Sequence, residues 1–101
     1  MSQVSIVANL TVKKGKEDEF LALWDDLLAH VAANEPGTEH YVLHRSTTEP
    51  NVFYVTEVYE DQAALDAHMA SDVFGAFGAS LGDTVEGGGM QFLAPVRTAK
   101  A

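Results

Sequence analysis

The run VFYVTEVY at residues 52–59 constrains the fold of this chain more than any other segment. It is rich in β-branched and aromatic residues, so we predict a β-strand. Side chains alternate between the two faces of a strand, and here both alternating sets are largely apolar. Such a strand needs a covering layer on each face. A chain of 101 residues has helices enough for only one of these layers.

The other elements follow from hydrophobic spacing and turn residues. After Lys16, acidic residues fill a first helical turn and apolar residues then recur every three or four positions, which predicts the longest helix. In chain order we predict a strand at 3–13, a helix at 16–34, strands at 39–46 and 52–59, a helix at 62–71, a shorter helix through Leu81 and a strand at 90–97. GDTVEGGG, residues 82–89, is expected to form a flexible loop. Pro95 places the end of the last strand at an edge or crossover.

This order of elements is that of the ferredoxin-like α+β fold, βαββαβ. We therefore expect one domain at residues 3–97, with a four-stranded antiparallel sheet and the helices on one side. The helix-free face still carries apolar residues. We expect that face to pack against the same face of a second copy, which gives a homodimer.

Charge and composition exclude several classes of partner. Six basic against fifteen acidic residues give a formal net charge of −9, which repels nucleic acid and anionic membranes. No window approaches the roughly 20 apolar residues of a membrane span, and the N-terminus lacks an export signal, so we expect a cytoplasmic protein. Without cysteine, disulfides, thiolate nucleophiles and iron–sulfur clusters are excluded.

Four segments together resemble the antibiotic biosynthesis monooxygenase family of dimeric α/β barrels, which includes quinol monooxygenase-like proteins. They are VANLTVKKGKEDEF, EPGTEHYVLHRS, FYVTEVYEDQAALDAHMAS and DVF, and the most diagnostic pattern is E-x-Y-x-D-x-x-A-L-x-x-H from Glu57 to His68. The resemblance covers about residues 3–97. It implies a dimer with a pocket in each protomer between the helices and the sheet. Characterised oxygenases of the family oxidise phenols or quinols with molecular oxygen and need no metal or organic cofactor.

The same superfamily also contains isomerases of small hydroxyketones, haem-degrading enzymes and chains with no known reaction. Haem-degrading relatives carry an Asn on the first strand, a Trp ending the third strand and an axial His after SDVF. Aligned on these anchors, this chain has Ala8, Tyr59 and Gly78 at the three places. Haem iron would have no evident protein ligand, and we expect no cofactor.

His68 and Glu57 are the candidate catalytic residues. A cofactor-free oxygenase needs a base that deprotonates a phenol inside a dry cavity, and an imidazole suits that task. On this hypothesis the small alanines near His68 leave space for a ligand. The alternative is a histidine hydrogen-bonded to the sheet for structural reasons. Glu57 sits among apolar neighbours, so it either orients His68, acts as acid or base itself, or pairs with Arg45 or Arg97.

The candidate substrate-binding residues are mostly aromatic and could wall a flat ligand or simply form core. Strand alternation places Tyr41 and Arg45 on one face. Arg45 could stabilise an oxyanion or form an interface ion pair, and Asn9 could contact a ligand or the second copy. The full set is Tyr59, Phe74, Phe77, Tyr41, Arg45, Trp24 and Asn9.

His40 and His44 share the opposite face of the same strand. Positions i and i+4 on a strand lie about 13 Å apart, so we expect the pair to form no shared metal centre.

The sequence thus leads to a cofactor-independent monooxygenase acting on a small quinol or polyphenol with molecular oxygen. Two alternatives stay open at this stage. The same base could serve an isomerase or tautomerase of a hydroxycarbonyl compound, or the dimer could bind a small molecule without a reaction.

Overall fold

Four antiparallel strands form a single sheet in the computed structural model, which describes residues 2–99. The strands lie in the order β2-β3-β1-β4. This arrangement confirms the predicted ferredoxin-like α+β fold. The elements are β1 (Val4–Val12), α1 (Glu17–Asn34), β2 (Thr38–Arg45), β3 (Val52–Tyr59), α2 (Gln62–Ala70), α3 (Asp72–Leu81) and β4 (Val85–Leu93).

β3 is an inner strand, and its alternation decides which side chains face the helices. The set Phe53, Val55, Glu57 and Tyr59 is buried, whereas Tyr54 on the other face is exposed. β3 pairs with β1 on one side and with β2 on the other. The helices therefore cover one face of β3, and the second apolar set stays on the face that no helix covers.

α1 packs on the sheet through one buried stripe. Phe20, Trp24, Leu27 and Val31 are spaced four, three and four residues apart, which keeps them on one side of the helix. The ring centroids of Phe20 and Phe53 lie 4.8 Å apart, so this stripe meets the buried face of β3. Among the residues that the structure describes, no helix is long and apolar enough to cross a lipid bilayer.

Ser71 joins α2 to α3. Its side-chain oxygen accepts a hydrogen bond of 3.1 Å from the backbone N–H of Phe74 and so caps the N-terminus of α3. The same hydroxyl donates to the carbonyl oxygen of His68 at 3.0 Å, within the last turn of α2. One residue thus fixes the turn between the two helices.

The prediction for the last strand is wrong in its position. Residues 82–89 were expected to form a loop, but β4 begins at Val85 and includes all three consecutive glycines, and Pro95 follows the strand. The reason is a close approach of two backbones. A Cβ atom at Gly88 would collide with the carbonyl oxygen of Asn9 on β1, so glycine is needed for this pairing.

Ala64 has a packing role that the sequence did not indicate. A Cβ atom added to Gly37 would lie 2.7 Å from the Cβ of Ala64 and 3.0 Å from Oε1 of Glu60. At this position the small side chain on α2 accommodates the turn before β2.

We predict that Gly37→Ala lowers the free energy of unfolding by about 1–3 kcal/mol, because the added methyl group forces the turn away from α2. Gly75→Ala is the matched control. A Cβ at Gly75 would meet no atom within 4 Å, and alanine favours the helix by about 0.5–1 kcal/mol. Urea denaturation of the three proteins measures both effects. Equal midpoints for Gly37→Ala and the unmodified chain would contradict the packing argument.

Candidate active site

His68 lies at the centre of the candidate site, on the buried side of α2 beside Leu65. Its side chain is 1% exposed. The centroid of the imidazole ring lies 4.7 Å from that of Phe74, 5.1 Å from that of Tyr41 and 5.6 Å from that of Tyr59. The imidazole is therefore enclosed by aromatic rings from β2, β3 and α3.

Glu35, rather than Glu57, holds His68. Nδ1 of His68 lies 2.8 Å from Oε1 and 3.1 Å from Oε2 of Glu35. Because a carboxylate only accepts hydrogen bonds, Nδ1 carries the proton in this contact. Thr38, at the start of β2, donates its hydroxyl proton to Oε1 of Glu35 at 2.9 Å. In the sequence, Glu35 appears only as the first residue of the segment EPGTEHYVLHRS, directly after the predicted helix at 16–34, and this functional candidate was missed.

A second histidine contacts the same carboxylate from the outside. Nε2 of His30 lies 3.5 Å from Oε2 of Glu35. The exposed fraction of the side chain rises from 1% at His68 to 9% at Glu35 and 22% at His30. A cleft of about 420 Å³ lined by His30, Glu35 and Ala64 lies between α1 and α2. Glu35 thus links the buried imidazole to a surface that solvent reaches.

The side chain of Tyr41 contacts the other ring nitrogen of His68, Nε2. Its hydroxyl oxygen lies 3.3 Å from Nε2. Burial raises the pKa of the Tyr41 hydroxyl, and the negative charges of Glu57 and Glu35 raise it further. The phenol therefore keeps its proton. In the neutral tautomer of His68 that directs Nδ1–H at Glu35, Nε2 is the acceptor for the Tyr41 hydroxyl.

Glu57 faces the helices, as a contact with His68 would require. Its hydrogen-bond partner, however, is Tyr59. The hydroxyl of Tyr59 donates to Oε1 of Glu57 at 2.6 Å. Burial raises the pKa of the Glu57 carboxyl, the hydrogen bond from Tyr59 lowers it and the charge of Glu35 raises it, with a net rise. Within residues 2–99, Glu57 forms no ion pair with Arg45 or Arg97. Of the alternatives given for Glu57, the single chain therefore does not contain the pairing with an arginine.

Five rings form a closed circuit around the site, which we call the ring circuit. Their centroids follow one another at 4.7 Å from His68 to Phe74, 6.4 Å to Phe77, 4.9 Å to Trp24, 5.9 Å to Tyr41 and 5.1 Å back to His68. α1, β2, α2 and α3 each contribute to it. The structure thus brings these predicted substrate-binding residues together.

Arg45 and Asn9 lie elsewhere. Arg45 is at the far end of β2, where its guanidinium carbon lies 4.8 Å from the centroid of Phe53, and it borders a separate surface cleft. Asn9 is exposed on the helix-free face of β1, opposite Tyr54. Neither contacts His68, because one is too far along its strand and the other points away from the helices. A ligand contact for either residue therefore stays a prediction, and within the single chain neither shares a site with His68.

His40 and His44 converge more closely than their spacing predicted. Nε2 of His40 lies 2.7 Å and Nε2 of His44 lies 3.0 Å from the hydroxyl oxygen of Thr56. The expectation of two widely separated rings is wrong, because both side chains lean towards the threonine between them on β3. In the part of the chain that the structure describes, no group of three or more His, Cys, Asp or Glu side chains could hold a metal ion.

Residues 3–80 match the family described as antibiotic biosynthesis monooxygenase. These residues make up more than half of the chain. The chain belongs to the antibiotic biosynthesis monooxygenase family. The match includes β1, α1, β2, β3 and α2, and with them Glu35, Tyr41, Glu57 and His68.

Family members of known sequence and structure agree with this assignment. "Putative monooxygenase YcnE" from Bacillus subtilis is 33% identical over 74 residues, 73% of this chain and 77% of that protein. "Uncharacterized protein sll1783" from Synechocystis is 34% identical over 73% of this chain, although the match spans only 50% of that protein. The crystal structure of "a putative antibiotic biosynthesis monooxygenase" from Caulobacter crescentus CB15 has a TM-score of 0.90 and 40% identity, and covers 95% of this chain and 92% of its own.

We predict that Glu57→Gln becomes more stable, relative to the unmodified chain, as the pH rises. The folded pKa of Glu57 lies above its ordinary value of 4.5, so the folded state binds that proton more tightly than the unfolded state. The contribution of the Glu57 carboxyl to the free energy of unfolding is fully present below this ordinary pKa and is lost as the pH rises through the folded pKa. Glutamine keeps an oxygen for Tyr59 but carries no charge.

Urea denaturation at about pH 4 and about pH 8 measures this effect, because the ordinary pKa of the carboxyl, 4.5, lies between the two conditions and the folded pKa lies above it. Glu49→Gln, which changes an exposed carboxylate, is the matched control. An equal difference in the free energy of unfolding between Glu57→Gln and the unmodified chain at both pH values would refute the burial argument.

Proposed function

We propose that this protein is a cofactor-independent monooxygenase that oxidises a small quinol or polyphenol with molecular oxygen. The observation that carries the proposal is the pair of Glu35 and His68 inside the ring circuit. In the neutral tautomer with Nδ1–H on Glu35, Nε2 of His68 is a suitable base for a phenol that displaces the Tyr41 hydroxyl, and membership of the family supports oxygenation.

In the proposed reaction the substrate hydroxyl takes the place of the Tyr41 hydroxyl at Nε2 of His68. His68 accepts the hydroxyl proton, and the carboxylate of Glu35 stabilises the imidazolium through Nδ1. The resulting phenolate transfers electrons to molecular oxygen. One oxygen atom then enters the ring, and the other leaves as water with two hydrogen atoms from the substrate. The apolar rings exclude bulk water, which strengthens the charge interactions.

Access to the base requires a movement, because His68 is almost fully enclosed. α3 carries Phe74 and Phe77, which form one side of the ring circuit. This helix packs on α1 and α2. It contains two glycines and two alanines, and a third glycine directly follows it. We infer that α3 moves outward to admit the substrate.

An isomerase or tautomerase is the second candidate. The contact of 3.3 Å between Tyr41 and His68 favours it, because a protonated phenol beside an accepting imidazole can donate one proton while the imidazole removes another. That reaction needs no oxygen. The same assay under argon separates the two candidates, and binding without turnover in both conditions would leave a non-enzymatic binding protein.

We predict that His68→Gln lowers oxygen consumption with hydroquinones and naphthols at least about 100-fold, because general base catalysis contributes about 10²–10⁴-fold. An oxygen electrode measures the rate. His40→Gln is the matched control, since His40 lies on the helix-free face of the sheet and should keep the full rate. Oxidation at the background rate by the unmodified protein, or equal rates for both variants, would end the proposal.

We also propose that the helix-free face forms a homodimer, as the sequence led us to expect. Val7, Val42 and Tyr54 on this face are exposed in the single chain. Val7 and Val42 flank Thr56 on β3, and Tyr54 and Val58 lie on either side of it along the strand, so these apolar side chains surround one hydroxyl. A second copy of the same face would cover it and supply the layer that β3 lacks.

We predict that Val7→Lys converts the dimer to a monomer, because a charge at the centre of this face would be buried without a partner. Met69→Lys is the matched control, since Met69 on α2 is 43% exposed and Val7 38% exposed. Sedimentation equilibrium gives the mass of each protein. A monomeric unmodified chain, or a dimer that persists in Val7→Lys, would exclude this interface.

A further inference from the structure

Two histidines and a threonine form a polar cluster on the helix-free face of the sheet. Nε2 of His40 lies 2.7 Å and Nε2 of His44 lies 3.0 Å from the hydroxyl oxygen of Thr56. We call these three side chains the histidine cluster. Val7 and Val42 are the neighbours of Thr56 on the two adjoining strands. The histidine cluster therefore lies within the surface that we propose as the dimer interface.

The histidine cluster holds at most one positive charge without losing a hydrogen bond. A neutral imidazole has one donor and one acceptor nitrogen, and a protonated imidazole has two donors. While at least one imidazole is neutral, one Nε2 can accept from the Thr56 hydroxyl and the other can donate to it. With both imidazoles protonated, the hydroxyl proton has no acceptor in the cluster, and two cations lie against one oxygen. A separate chain in mild acid therefore takes up one proton here rather than two.

The charged side chains near the histidine cluster do not neutralise it. Within residues 2–99, neither histidine of the cluster forms an ion pair. Glu39 borders the same cleft as His40, but its carboxyl oxygen accepts a hydrogen bond of 2.6 Å from Gln3. Glu57 also borders that cleft, but its carboxyl group binds Tyr59 on the helix side of the sheet. The other titratable side chains of this face line a second cleft beside the turn between β2 and β3, namely Lys14, Glu17, Glu49 and Tyr54.

We propose that the homodimer forms while the histidine cluster is neutral and separates when the cluster is protonated. This inference rests on the proposed dimer interface and adds its regulation. A two-fold dimer brings the same face of both copies together, so each cluster enters the buried surface along with Val7 and Val42. A charged imidazole that loses its water there without an anionic partner is costly, whereas a neutral one keeps its bond to Thr56.

The overall charge of the chain gives acid the opposite effect on association. The net charge of −9 makes two copies repel each other, and protonation of carboxylates at lower pH reduces that repulsion. A dimer without titratable groups in its interface would therefore tighten as the pH falls. A dimer that weakens instead identifies groups that take up protons when the interface opens.

The number of protons sets the size of the expected effect. Histidine ordinarily titrates at about pH 6.5, so at about pH 5.5 a solvent-exposed imidazole favours its charged form by about tenfold. Each protomer must release one proton to associate. We expect the dissociation constant of the dimer to rise about 100-fold between about pH 8 and about pH 5.5. Sedimentation equilibrium over a concentration series measures this constant at each pH.

The double variant His40→Gln/His44→Gln tests whether the histidine cluster causes this weakening. Glutamine can donate to and accept from the Thr56 hydroxyl but does not titrate. The dissociation constant of the double variant should stay constant or fall between the same two pH values. His30→Gln is the matched control, because it removes a histidine of α1 and leaves the helix-free face intact. It should keep the rise of about 100-fold.

A measurement on the unmodified protein decides if the double variant does not fold. Dilution calorimetry at about pH 5.5, in buffers of different ionisation enthalpy, counts the protons taken up on dissociation. We expect about two protons per dimer. No proton uptake, a dissociation constant that does not rise in acid, or an equal rise in the double variant overturns the inference and leaves the dimer in place. An unmodified chain that is monomeric at about pH 8 removes the dimer and its regulation together. The oxygenation assay does not depend on any of these results.

Discussion

The contact between Glu35 and His68 organises the centre of this molecule. A buried imidazole needs an acceptor for its N–H, and the carboxylate at the end of α1 provides one. Thr38 at the start of β2 holds the same carboxylate. The end of α1, the start of β2 and the buried side of α2 therefore meet at one side chain. The direction of the Nδ1–H of His68, and with it the role of Nε2 towards Tyr41, depends on this contact.

Much of the fold could be predicted because its signals are periodic. The spacing of apolar residues gave α1, and alternation gave β1, β2 and β3 and the inward direction of Glu57. β4 was placed too late because a glycine triplet carries no side-chain pattern. Its strand conformation comes from the close approach of β1 at Asn9, and that contact is distant in sequence.

The candidate site was harder to predict than the fold, for a physical reason. His68 lies inside a helix, where periodicity fixes the direction of a side chain. Glu35 lies just after the last turn of α1, where the chain bends and periodicity ends. The partner of His68 therefore could not be read from spacing. His40 and His44 show a similar limit, because strand geometry gives the distance between backbones but not the lean of the side chains.

The double role of Ser71 has a consequence for how this fold can diversify. One hydroxyl closes α2 and starts α3, so the boundary between the two helices is a single, locally satisfied joint. Glu35, Tyr41 and His68 all precede that joint in the chain, whereas Phe74 and Phe77 follow it. Exchange of α3 behind Ser71 would thus change the aromatic rings that enclose His68 while leaving Glu35 and Tyr41 in place.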